Sequence, residues 1–298
     1  MSPDAPAVTE RAGLGVAAVL AAALCTSLSG LLVRLTENAD GWQILFWRSV
    51  FCIATLLVYL GWRHGARIGD RFLSIGRTGL LCSLTLGSSF ITFIFALTNT
   101  TVANVAFTVG MAPVFAALLG WLFLRERVAA RTVGFILLSL GGIGLMFSDG
   151  LATGGLSGNV LALATCLFYS GTIVLLRGGR RVDMVPAVTI AAVLSCLVAA
   201  MVAPAGLGIG PYDLGVIAFM GVVQLAFQYI FFTAGVRHMP AAQAALLGRA
   251  TVVLTPLWAF LGVGEVPSLL SLAGGALVLS AVLGQGLSAL WLTRARAV

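Results

Sequence analysis

The sequence predicts an all-α integral membrane protein, with ten transmembrane helices arranged as two inverted five-helix repeats. Three observations carry this prediction. The composition is one that only lipid can solvate, the loops alternate in charge, and the two halves match co-linearly. The chain has 298 residues, 60% hydrophobic and only 9% charged, with a mean hydropathy of +1.07. Soluble domains carry about 25% charged residues, so a water-facing surface is excluded. Disorder is excluded too, because it needs low hydrophobicity with high net charge.

A helix crosses a bilayer with about 20 mostly apolar residues. The first run, 13–35, is too long for a secretory apolar region and reads as an uncleaved span. Leu24 before Cys25 is too bulky for a lipoprotein cleavage site. Glu37 and Asp40 follow it. The second run, 42–62, leads into Arg63, Arg67, Arg71 and Arg77 with Asp70. The third, 78–98, ends in uncharged Asn99-Thr100-Thr101, and the fourth, 102–124, in Arg125, Glu126, Arg127 and Arg131. The fifth, 131–148, is followed by Asp149 alone. The sixth, 156–177, precedes Arg180, Arg181 and Asp183, and the seventh, 185–204, precedes Asp213. The eighth, 213–236, precedes Arg237 and His238, and the ninth, 240–262, precedes Glu265. The tenth, 268–291, leads to Arg294 and Arg296.

Basic connections thus alternate with acidic or neutral ones without a break. The positive-inside rule then places both termini in the cytoplasm; the expected location is the cytoplasmic (inner) membrane. Trp42 and Tyr212 fall at the outer interface, and Trp62, Trp121 and Trp291 at the inner one, where aromatic residues anchor helices. The net charge of +7 is spread over short loops and does not form a nucleic-acid face. All 17 basic residues are Arg.

The halves match in order. Gly15, Ser27 and Arg34 align with Gly158, Ser170 and Arg177; Ala96, Ala103 and Ala106 with Ala234, Ala241 and Ala244; Glu126 with Glu265. Five spans is an odd number, so the second half enters the membrane inverted. The expected organisation is a tail at 1–12, a first repeat at 13–148, a second at 149–291 and a tail at 292–298. Inverted repeats around a midplane site are a design of secondary transporters.

At these positions the chain resembles the EamA half of the drug/metabolite transporter superfamily. The resemblance rests on Ala96-Leu97, Ala103, Ala106, Ala112-Pro113-Val114-Phe115-Ala116-Ala117 and Leu122-Phe123-Leu124-Arg125-Glu126-Arg127. A second copy runs through Ala241, Ala244, Thr255-Pro256-Leu257-Trp258-Ala259-Phe260 and Gly264-Glu265. Trp47-Arg48 is similar to the family's usual Arg in that span, and Cys25-Thr26-Ser27 stands where Trp-Gly-Ser is common. The second copy departs from the first, with Val252 opposite Pro113, Pro256 four positions later, and Arg249 outside the pattern. The resemblance implies a central cavity and a carrier of amino acids, other metabolites or drugs. Export of amino acids or related compounds is the first expectation. Import or exchange of an organic acid or vitamin, and drug efflux, are the alternatives. An intramembrane enzyme or a non-transporting scaffold lacks any supporting constellation.

Candidate substrate-binding residues follow from depth and polarity. Arg249 lies about 13 Å into its span at 1.5 Å per residue, where a charge costs about 2.5–3.5 kcal/mol. It reads either as an anchor for a substrate carboxylate or phosphate, or as a structural Arg bonded to backbone carbonyls. Arg48 is expected to snorkel outward, to pair with Glu37 or Asp40, or to serve as a fixture of the fold. Gln224 and Gln228, four residues apart, share a helix face. With Asn104, Tyr169, Ser27, Ser83, Ser88, Ser89, Ser170 and Gln243 they are the polar residues at mid-span depth, which read either as cavity lining or as interhelical hydrogen bonding. Phe227, Tyr229, Phe231 and Phe232 read as packing or as a stacking surface. Pro113 and Pro256 are candidate gating hinges.

Glu126 and Glu265 sit at span ends and read as loop-corner residues. No Asp or Glu lies deep in a span, so transport down the substrate's own gradient, or exchange, is expected over proton coupling. Gly79, Ser83 and Gly87, Gly141-Gly142 and Gly274-Gly275 read as close helix contacts. The five Cys have no metal or redox spacing and read as buried apolar residues. No catalytic residue, metal site, cofactor or nucleic-acid partner is expected. The expected partners are a small molecule and the bilayer.

Overall fold

The computed structural model describes residues 5–125, 130–153, 155–178, 183–203, 206–239 and 241–295. Among the described residues all regular structure is helical, and its order reproduces ten spans. Span 1 is α1 (Ala5–Ser27) and α2 (Ser29–Leu35). Span 2 is α3 (Gly41–His64), followed by a 3₁₀ turn and the short α4 (Ile68–Leu73). Span 3 is α5 (Gly76–Asn99). Span 4 is broken into α6 (Val102–Gly110) and α7 (Ala112–Leu124), and span 5 is α8 (Ala130–Thr153). Spans 6 and 7 are α9 (Leu156–Gly178) and α10 (Met184–Val202). Span 8 runs as α11 (Pro211–Phe219), a π-helical stretch (Met220–Phe227) and α12 (Gln228–Gly235). Span 9 is α13 (Ala241–Gly248) and α14 (Ala250–Val263), and span 10 is α15 (Leu269–Ala295).

Eight of these spans have membrane-crossing length and hydropathy, and the described apolar parts of the other two run Thr132–Ser148 and Leu269–Gln285. Large apolar side chains such as Leu137 and Leu261 stand outward, 64% and 63% exposed, as lipid-facing residues do. Trp62 and Trp121 are exposed near span ends as expected. Trp42 instead packs edge-on against Phe95, ring centroids 4.5 Å apart. Trp291 and Glu126 lie outside the residues whose side chains are described.

The halves interleave. α5 packs along α9 and α10, α1 along α12, α13 and α14, and α8 along α15. Without a hydrophobic driving force inside lipid, close approach of small residues holds such pairs together. The two diglycine sites meet each other. A Cβ on Gly142 would lie 2.6 Å from the Gly274 carbonyl, and one on Gly274 2.5 Å from the Gly142 carbonyl. Buried serines tie further pairs. Each bonds a carbonyl of its own helix and one of a neighbour: Ser83 to Gly79 and Ala187, Ser170 to Cys166 and Ala112, Ser195 to Ala191 and Gly87. In lipid such hydroxyls need a partner within the protein.

Loops are anchored by carboxylates. Asp40 and Gln43 form a capping box at the start of α3, which satisfies otherwise orphaned N–H groups. The Asp213 carboxylate accepts from the backbone N–H of Glu37 and Asn38, both at 2.9 Å, and pins the first loop to α11. Cys52, Cys82 and Cys166 are buried free thiols, and Cys25 and Cys196 are half-buried.

Candidate functional site

The helix breaks position the site. In span 4, Pro113 has no N–H and sits in the first turn of α7, where a proline is tolerated. Val114 N–H bonds the Met111 carbonyl at 2.8 Å, which leaves the Gly110 carbonyl without its usual helical donor. Arg249 Nη1 supplies one at 2.9 Å. Span 9 breaks in the same way. Val252 N–H bonds the Arg249 carbonyl at 3.0 Å, and Thr251 Oγ1 donates to the Gly248 carbonyl at 2.9 Å. This break lies at Gly248–Arg249; α14 continues through Pro256. Unwound spans of this kind line cavities in transporters, because irregular backbone is tolerated there.

A cavity of about 230 Å³ lies between the halves. The first half contributes, among others, Thr26, Arg48, Ser89, Phe90, Val105 and Gly110; the second contributes Thr165, Tyr169, Gln224, Gln228, Tyr229 and Phe232. Arg48 is the one charged residue among the described lining residues, and none of them is acidic.

Arg48 departs from the snorkelling and pairing expectations. It is 1% exposed, and Asp40 is engaged in capping α3. The side chain turns inward, with Cζ 5.5 Å from the Phe90 ring centroid. Its Nε and Nη2 are buried without a hydrogen-bond acceptor. Phe90 leans toward Tyr229, centroids 6.4 Å apart.

Gln224 and Gln228 both reach the wall, as their shared face predicts, but on a π-helical stretch. Such wide turns mark functional sites in many helices. Gln224 is 3% exposed and its Oε1 accepts no hydrogen bond. Gly221 lets this stretch touch α3; a Cβ there would lie 2.6 Å from the Arg48 carbonyl and 2.6 Å from Phe51 Cβ. Tyr169 also lines the cavity.

The other candidates lie elsewhere. Arg249 is half-buried outside the wall, on the Gly110 carbonyl. Asn104 is buried in a polar network, its Nδ2 donating to Asn159 Oδ1 at 3.2 Å. Ser27 Oγ accepts from Trp258 Nε1 at 3.0 Å. Ser88 is half-buried and Gln243 exposed, and neither lines the cavity. Tyr229 and Phe232 join the wall, whereas Phe227 is 37% exposed and pairs with Phe231. Ser89 lines the cavity, as one of its two readings expects, whereas Ser83 and Ser170 bond carbonyls of neighbouring helices; residue type and depth did not single out Thr165, which also lines it.

At the bundle end where α2 and α14 finish, Arg34 Nε donates to Glu265 Oε2 at 2.7 Å. Glu265 Oε1 accepts from Val102 N–H at 2.6 Å, and Arg34 Nη2 donates to the Thr100 carbonyl at 2.7 Å. Glu265 is thus a loop-corner residue, as expected, and it joins span 1, the α5–α6 connection and span 9.

Comparison with known proteins agrees with this architecture. The chain is 28% identical over 276 residues to the Pseudopaline exporter CntI of Pseudomonas aeruginosa, covering 89% of this chain and 92% of that protein. It is 25% identical over 301 residues to Solute carrier family 35 member G1 of Homo sapiens, covering 95% and 81%. A crystal structure superposes with a TM-score of 0.64 at 17% identity, covering 95% of this chain and 99% of that one, a likeness of fold. The profile of the EamA-like transporter family matches residues 13–148 and 156–285. The chain is a multi-pass membrane transporter and belongs to the EamA-like transporter family.

Proposed function

We propose that the protein is a secondary carrier that exports a small organic metabolite, of the amino-acid or related class, by alternating access across the cytoplasmic membrane with both termini inside. The observation that supports this most is the cavity walled by both repeats around a buried, uncompensated Arg48. Two inverted repeats packed around one site have two related arrangements, each open to one compartment. The Arg34–Glu265 pair, which joins span 1, the α5–α6 connection and span 9 at one end of the bundle, acts as the latch of that end. Its release opens that end to the outside. The breaks near Pro113 and at Gly248–Arg249 are the hinges. The bacterial relative named as an exporter favours the outward direction.

The test is efflux from proteoliposomes preloaded with amino acids and organic acids. Wild-type protein gives saturable efflux and accelerated counterflow of labelled solute. Ala106→Trp, which fills the wall, gives neither. Flux that does not saturate and shows no counterflow would rule out a carrier.

A further inference from the structure

We infer that Arg48 is the binding site for a substrate carboxylate, and that Gln224 accepts a hydrogen bond from an N–H or O–H group on the same molecule. This rests on the carrier reading and adds the chemistry of its substrate. A guanidinium holds its charge at any physiological pH and carries five donors in one plane. In Arg48 two of those nitrogens are buried without acceptors. The Phe90 face offers the cation attraction but no in-plane acceptor. The one ion pair recorded among the described residues, Arg34–Glu265, involves neither Arg48 nor the cavity wall. Water entering the cavity can satisfy the N–H groups, but it leaves the charge uncompensated. A buried cation without a counter-charge is strongly disfavoured, and a bound anion removes that penalty.

The wall narrows the class of anion. Among the described residues Arg48 is the one cation on the wall itself, and the neighbouring Arg249 donates to the Gly110 carbonyl, an arrangement that suits a monovalent group. A carboxylate fits the guanidinium fork in its plane. Gln224 Oε1 is buried without a donor, which the substrate itself can provide. Contact of Gly221 with the Arg48 carbonyl fixes the π-helical stretch against α3, so both unsatisfied groups belong to one wall. The rest of that wall is largely apolar and aromatic, with Phe90, Phe93, Leu97, Val105 and Phe232. The cavity of about 230 Å³ is small beside common ligand pockets of about 300–1,000 Å³. The structure therefore describes a small amino or hydroxy acid with an apolar side chain.

The experiment uses full-length protein in liposomes preloaded with an equimolar mixture. The mixture holds alanine, phenylalanine, lactate and propionate, each with its carboxamide, together with choline and inorganic phosphate. Mass spectrometry follows what is retained. The expected result is release of the amino and hydroxy acids at least about tenfold faster than their amides, the loss expected of a charge-assisted hydrogen bond. Arg48→Gln abolishes the preference, Arg48→Lys keeps part of it, and Gln224→Leu reduces alanine and lactate toward propionate. Release of amides or choline as fast as the acids overturns the Arg48 assignment and leaves the carrier reading standing. Phosphate leaving fastest overturns the carboxylate. Release of none of the solutes overturns both readings. If Arg48→Gln fails to fold, the acid-to-amide ratio of the wild-type protein decides alone.

Discussion

Arg249 Nη1 donates to the Gly110 carbonyl at 2.9 Å, so a side chain at the break in span 9 satisfies the backbone freed at the break in span 4. The two broken spans belong to different repeats. Their tether lies beside the cavity, since Gly110 and Gly248 both line it. A mid-membrane arginine thereby acquires a backbone partner, and among the described cavity-lining residues the cation is Arg48.

Arg249→Ala leaves the Gly110 carbonyl without a donor. Hydrogen bonds to charged groups contribute about 1.5–3 kcal/mol, so thermal unfolding in detergent should show a loss of that order. Arg249→Lys should recover part of it. Carboxylate affinity per folded molecule should change far less than in Arg48→Gln. An Arg249→Ala protein of wild-type stability that binds no substrate would reverse the roles of the two arginines.

Glu265→Gln weakens the link among α2, the α5–α6 connection and α14, because Glu265 holds both Arg34 and the Val102 N–H. Both partners are partly exposed, 29% and 16%, so the effect is discounted for solvent screening to about 1 kcal/mol. A several-fold faster maleimide labelling of a cysteine placed at cavity residue Ser29, applied from the Arg34 side, is expected. Unchanged labelling would show that other contacts hold this end shut.

Gly221→Ala places a methyl within 2.6 Å of the Arg48 carbonyl and Phe51 Cβ. Backbone atoms cannot turn aside as a flexible side chain does, so α3 and the π-helical stretch must separate. Overpacking of this kind costs about 1–3 kcal/mol. Transport should fall with it, because the shift moves Arg48 relative to Gln224. The exposed Gly13, whose added Cβ meets nothing within 4 Å, is the control: Gly13→Ala should match the wild type in both thermal unfolding and flux.

None of the described cavity-lining residues is an Asp or Glu, and buried acids are the usual proton relays of pumps and carriers. Flux at a fixed substrate gradient and clamped voltage should be unchanged when a pH gradient is imposed across the liposome membrane. A rate that follows the pH gradient in either direction would require a proton site elsewhere in the chain.

Much of the molecule was legible along the chain. Span count follows from runs of apolar residues and the alternation of loop charge, both local properties. The small-residue sites read correctly in part: Gly87, Gly142, Gly274 and Gly275 lie close against other helices, while an added Cβ on Gly79 would meet only Ile75 and one on Gly141 nothing within 4 Å. The candidate site was legible only in part. Gln224, Gln228, Tyr169 and Arg48 reach the cavity, while Arg249, Asn104, Ser27, Ser88 and Gln243 do not line it. Of the two candidate hinges, Pro113 lies beside a helix break, but α14 continues through Pro256 and span 9 breaks at Gly248–Arg249 instead. Depth in the membrane follows from counting residues at a fixed rise. Azimuth does not, because every break or wide turn resets it.

By itself, the sequence determined that lipid must surround this chain, that it crosses ten times, and that its second half mirrors its first. These depend on hydration free energies and chain length, which act residue by residue. Only the tertiary structure decided that Glu265 clasps Arg34, that Arg249 serves the backbone, and that Arg48 lines a cavity with no acidic residue among its described lining. Those outcomes depend on how far each helix is rotated about its axis. That rotation is set by contacts between residues distant in sequence, where a single methyl group decides whether two helices touch.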